Sequence, residues 1–165
     1  MLYNNKANKI IIVFAVESFM EEIMEKLIIA VQGKADRGKT ETLNILIDLL
    51  SCVSYEYEIK KYNEGTNDRR AAFTIGGKKI CVCTAGDNEE EASDNVDFIK
   101  ENEADIVFTA CHNTNAASRR VLKEFTEQTE YTFIPEPKDD DTQESRWLAT
   151  KFFMQVMQLA KGDAE

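Results

Sequence analysis

"GKADRGKT", residues 33–40, sets two glycines, a lysine and a threonine at a spacing suited to holding a polyphosphate. A triphosphate is densely negative. A loop that wraps it must turn tightly and aim backbone N–H groups inward, which Gly33 and Gly38 permit. Lys39 follows as a cation for the β- and γ-phosphates, and the Thr40 hydroxyl as an oxygen ligand for Mg²⁺. A helix starting here adds its N-terminal amides and the positive end of its dipole. The expected nucleotide-contacting set is Gly33, Lys34, Ala35, Asp36, Arg37, Gly38, Lys39, Thr40 and Glu41. Asp36, an acid beside an anion, is expected to face solvent, with Arg37 offsetting it.

Such a loop works only between a buried strand and an amphipathic helix. "KLIIAVQ" (26–32) is a short apolar run with β-branched residues, hence a buried strand. "KTETLNILIDLLSCV" carries Leu43, Leu46, Ile47 and Leu50 at helical spacing. "SYEYEIKKY" (54–62) alternates and reads as a strand, followed by a polar loop at 64–70. "AAFTI" and "KKICVCTAG" flank Gly76-Gly77, a hairpin signal. Residues 88–103 open with acids, as a helix N-terminus favours, and continue with Val96 and Ile99. "ADIVFTA" (104–110) predicts a buried strand, 115–128 a helix, and 131–137 a last strand stopped by Pro135 and Pro137. Residues 139–162 predict an amphipathic helix whose inward face includes Trp147, Leu148, Phe152, Val156 and Leu159, with Met154 or Gln155. Strands alternate with helices apart from one hairpin. The expected fold is therefore an α/β sandwich around a mainly parallel sheet with one β-hairpin.

The nucleotide-binding domain is expected to span residues 24–165, with residues 1–23 an N-terminal extension, helical or unstructured. Val13, Val16, Phe19, Met20, Ile23 and Met24 recur at helical spacing there, although "NKIIIVFAV" reads equally well as a strand.

With the motif and the element order together, residues 24 to about 160 resemble the P-loop NTPase superfamily, whose loop pattern GxxxxGK[ST] is matched at every fixed position. The resemblance implies a three-layer fold and binding of Mg²⁺ with ATP or GTP. Lys34 matches the signature lysine of the partition- and septum-positioning ATPases, which reaches across a dimer to the partner's nucleotide. Ala35 and Asp36 stand where that pattern has glycines. P-loop enzymes also need an acid near the end of a neighbouring strand, to complete the metal shell or orient water. Asp87, just beyond "KKICVC", is the candidate for that catalytic and metal role; the alternative is a tight turn or a helix cap. "CHNTNAAS" stands where a GTPase carries its guanine-reading NKxD, so ATP is favoured over GTP. His112, Asn113 and Thr114 lie on the nucleotide side of that strand. Arg69 with Arg70, and Arg119 with Arg120, are pairs that could meet phosphate or lie on a solvated face.

Totals narrow the function classes. With 30 acidic and 20 basic residues, a formal net charge of −10 and no dense Lys/Arg cluster, direct nucleic-acid binding is disfavoured. Four cysteines, Cys52, Cys81, Cys83 and Cys111, form no CxxC pair, and His112 is the single histidine, which disfavours zinc. Small apolar core thiols in a reducing cytoplasm are expected, with Cys81 and Cys83 on one side of a strand. No apolar run reaches the ~18–20 residues of a membrane span. Three classes remain: a Mg²⁺-dependent ATP hydrolase or nucleotide switch with a protein partner or a second copy, a small-molecule or nucleotide kinase, and a nucleotide-binding module without turnover.

Overall fold

Three apolar stretches lie side by side in the middle of a sheet in the computed structural model, which describes residues 27–33, 38–112, 116–125, 130–135 and 142–161. In chain order the elements are β1 (Leu27–Gly33), α1 (Lys39–Ser51), β2 (Glu56–Lys61), β3 (Arg69–Ile75), β4 (Lys78–Cys83), α2 (Glu89–Glu101), β5 (Ile106–His112), α3 (Ala116–Phe125), β6 (Glu130–Pro135) and α4 (Thr142–Lys161). The strands run β2-β3-β4-β5-β1-β6 across the sheet. Residues 1–26 lie outside the described residues, and so does the expected extension 1–23.

The apolar runs of β1, β4 and β5 are continuous because both faces of these strands are covered. Ile29, Val31, Ile80, Val82, Ile106 and Phe108 pack with Leu43, Leu46, Ile47 and Leu50 of α1 and Leu148, Phe152 and Val156 of α4. The Phe108 and Phe152 rings meet at 5.0 Å between centroids. On the other face, Ile28, Cys81, Cys83 and Val107 pack on Phe98 and Ile99 of α2. Ala30 and Cys111 pack with Val96 and with Leu122 of α3. Cys81 and Cys83 thus share one side of β4, as their two-residue spacing requires. β2, exposed along its whole length, forms one edge.

The expected mainly parallel P-loop-type sandwich with one hairpin is corrected by the strand pairing. The sheet is mixed: β2 pairs antiparallel with β3, and β3 antiparallel with β4, while β4-β5, β5-β1 and β1-β6 are parallel. Connection length is the reason. A parallel crossover takes about a dozen residues or more. The loop 62–68 is too short for one, and the Gly76-Gly77 turn, at φ 57 and 80, only reverses the chain. Both antiparallel joins therefore fall on β3, and β2-β3-β4 form a meander. Two smaller expectations also change. Arg69 and Arg70 open β3 rather than closing a polar loop. On α4 the buried row is Leu148, Phe152, Val156 and Ala160, four apart and facing α1, whereas Trp147, Met154 and Leu159 are exposed.

Candidate functional site

The C-terminal ends of the parallel strands β1, β5 and β4 lie together, and the candidate site is built on them. Gly38 stands before α1 at φ 80, a left-handed conformation that glycine adopts without steric cost, and offers the helix no side-chain cap. Lys39 is the first residue of α1, and its side chain is 4% exposed. Its Nζ donates to the Gly33 carbonyl at 2.9 Å and to Asp87 Oδ1 at 2.6 Å. One ammonium therefore ties the end of β1, the start of α1 and the loop after β4. A cation in a first helical turn opposes the helix dipole, so the sequence forgoes some local stability here.

The loop carrying Asp87 is held from below. Gly86 approaches β5 so closely that an added Cβ would lie 2.0 Å from the Ala110 carbonyl oxygen. The His112 N–H donates to the Gly86 carbonyl at 3.2 Å. The Glu91 carboxylate accepts from the N–H groups of Gly86 (3.0 Å) and Asp87 (2.7 Å). Asn88 caps α2, its Oδ1 accepting from Glu91 N–H at 2.9 Å. The helix cap thus belongs to Asn88, and the Asp87 carboxylate, 39% exposed, is turned to Lys39.

Thr40 meets a residue that sequence reasoning missed. Its hydroxyl donates to Asp68 Oδ1 at 3.2 Å, and the same oxygen accepts from the hydroxyl of buried Thr84 at 3.0 Å. Thr84 Oγ1 in turn accepts the Arg69 N–H at 2.8 Å. Asp68 ends a polar loop and matches no local pattern. The antiparallel register of β3 on β4, which sets Arg70 opposite Cys83, is what brings it to Thr84 and the site.

The arginine pairs separate. Arg69 is spent on α1, donating to Asn44 Oδ1 (2.6 Å), the Asn44 carbonyl (2.9 Å) and Asp48 (2.9 Å). Arg70 points to the other face, its guanidinium 3.8 Å from the Tyr62 ring centroid, where it donates to Asn95 at 3.0 Å. Burial, and a hydrogen bond to Asp94, push the Tyr62 hydroxyl up to about 12. Arg120 pairs with Glu89 on the outer surface, and neither Arg119 nor Arg120 lines the pocket. Lys34, Ala35, Asp36, Arg37, Asn113 and Thr114 lie outside the described residues.

These groups surround a pocket of about 860 Å³ whose wall includes Gly38, Lys39, Thr40, Asp68, Thr84 and Asp87. Glu41 also lines it. The volume is in the usual range for small-molecule sites. Among the described residues no group of three or more His, Cys, Asp or Glu side chains is arranged to hold a metal ion. All four cysteines are free thiols. Burial pushes the Cys81 thiol up to about 12 and raises those of Cys83 and Cys111, which disfavours their thiolate forms. No helix among the described residues is long and apolar enough to cross a membrane. Comparison with protein-family models, with curated proteins and with solved structures gives no match.

Proposed function

We propose that the chain binds Mg²⁺–ATP in this pocket, as its resemblance to the P-loop NTPases implies, and acts as an ATPase or nucleotide-dependent switch. The observation that carries the reading is the Lys39 ammonium, buried at the first turn of a helix whose N-cap, Gly38, brings no side chain, and facing the pocket with Asp87. A cation is poorly placed there for stability and well placed for an anionic ligand. Lys39 and the amides at the start of α1 would hold charge on the β- and γ-phosphates. Asp87, aligned by Lys39 and by Glu91 through its backbone, would orient the attacking water.

The donor set fits Mg²⁺. It consists of hard oxygens, a hydroxyl and carboxylates, and Mg²⁺ is commonly held by one or two carboxylates together with substrate phosphates. Thr40 and a pocket carboxylate, Asp87 or Asp68, would hold the ion, which neutralises phosphate charge when bound. ATP is preferred to GTP because no guanine-reading motif follows β5. The switch class is favoured over a kinase by the loop 62–68. Its Asp68 carboxylate and Asn67 carbonyl reach Thr40 and Asn44 of α1, so a change at Thr40 bears directly on it. A protein partner or a second copy would read that change. Free thiols agree with action in a reducing cytoplasm.

The test is nucleotide titration of the wild type and of Lys39→Ala, beside thermal melts. Wild type is expected to bind ATP. The variant is expected to lose at least about a hundredfold in affinity, ~2.8 kcal/mol, while remaining folded. Unchanged affinity in a folded variant overturns the reading.

A further inference from the structure

On the nucleotide-binding reading, which this assignment presupposes, we infer that Asp68, not Asp87, is the carboxylate that completes the Mg²⁺ shell beside Thr40, and that Thr84 positions it. The two acids approach the pocket from different elements and have different partners. Asp87 Oδ1 is engaged with the Lys39 ammonium at 2.6 Å. That is a short, charge-assisted hydrogen bond. This oxygen of Asp87 is thus committed to the ammonium in the structure. Asp68 has no such commitment to a cation among its described contacts. Its Oδ1 accepts from two hydroxyls, Thr40 at 3.2 Å and Thr84 at 3.0 Å.

Oxygens in adjacent positions around an octahedral Mg²⁺, each ~2.0–2.1 Å from the ion, are about 2.9 Å apart. The Thr40 hydroxyl and Asp68 carboxylate oxygens are therefore already close to the spacing of neighbouring ligands. With the ion bound, they would exchange their mutual hydrogen bond for a shared metal.

Asp68 is also held in place. Thr84 Oγ1 accepts the Arg69 N–H at 2.8 Å, which leaves its own hydrogen for Asp68, and Thr84 is buried. Arg69, the next residue, is anchored on α1 by Asn44 and Asp48. The Asp68 carbonyl accepts from Tyr62 N–H at 2.9 Å. Backbone and side chain are thus fixed on both sides of the carboxylate, as a metal ligand requires.

The experiment measures ATP affinity in EDTA and in saturating Mg²⁺ for wild type, Asp68→Asn and Asp87→Asn, with a thermal melt of each. Asparagine keeps an acceptor oxygen for both threonines and removes the charge. Wild type is expected to bind ATP more tightly with Mg²⁺. Asp68→Asn is expected to lose at least about tenfold of that gain, with its EDTA affinity within about threefold of wild type. Asp87→Asn is expected to keep the gain. If Asp68→Asn melts far below wild type, Asp68→Ser, which retains a hydroxyl in the network, takes its place with the same expected loss. A gain preserved without the Asp68 charge, a gain lost in Asp87→Asn, or no gain in wild type overturns the assignment while the nucleotide reading stands. Absence of ATP binding by wild type in both conditions overturns the nucleotide reading and this assignment with it.

Discussion

At the residue scale the two acids of the site have different partners. Asp87 lies against Lys39, and Asp68 against Thr40. Asp87→Asn keeps an oxygen for Lys39 but removes the charge that would matter most as charge develops in the transition state. The variant is expected to bind ATP within a few-fold of wild type and to lose about a hundredfold or more in turnover. Single-turnover hydrolysis at saturating Mg²⁺–ATP measures it, and equal rates would return Asp87 to a purely structural contact with Lys39. The sequence picks out Gly38, Lys39 and Thr40 by type and offset, and the structure sets all three in the pocket wall. Asp68 is not picked out, because its neighbours Thr40 and Thr84 are 28 and 16 residues away along the chain. Only pairing of β3 with β4 makes them neighbours.

At the element scale, the loop from Thr84 to Asn88 converts the end of β4 into a side chain facing the pocket. It lies low against β5 because Gly86 has no Cβ. An alanine there would meet the Ala110 carbonyl at 2.0 Å, a backbone atom that cannot swing aside. Gly86→Ala is expected to cost about 1–3 kcal/mol, the usual range for forced overpacking, seen as a lower melting temperature. It should also slow turnover more than ATP binding, since the displaced loop carries Asp87. A variant as stable and active as wild type would show that the loop has room to move. The strands β1, β4 and β5 are legible as apolar runs, as is the α1 face of Leu43, Leu46, Ile47 and Leu50. The direction of β3 relative to β2 follows from the shortness of 62–68, a constraint of chain length rather than of residue pattern. On α4, hydrophobic periodicity offered more apolar positions than one face can bury, and packing on α1 selected Leu148, Phe152 and Val156 over Trp147 and Leu159.

At the scale of the whole molecule, the sheet from β2 to β6 and the helices on its two faces bury a core that, among the described residues, draws on positions from Ile28 to Ala160. Because the strand–loop–helix unit of the site begins after them, removing residues 1–23 is expected to leave a folded, ATP-binding protein, its melting temperature within a few degrees of the full chain. An insoluble or non-cooperatively melting product would assign those residues to the core. What the sequence determined alone is local. Spacing raises the expectation of a phosphate-type loop, since Gly33, Gly38, Lys39 and Thr40 lie within eight residues of one another. Apolar runs mark buried strands, since side-chain direction repeats every two residues. A formal net charge of −10, with no dense Lys/Arg cluster, argues against a nucleic-acid partner. The tertiary structure decided what depends on distant segments meeting. It turned the expected mainly parallel sheet into a mixed one, gave Arg69 to α1 and Arg70 to α2, and set Asp87 on Lys39. It also brought Asp68 between two threonines. Such contacts follow from strand register and closure of the chain around a core, which no local residue pattern encodes.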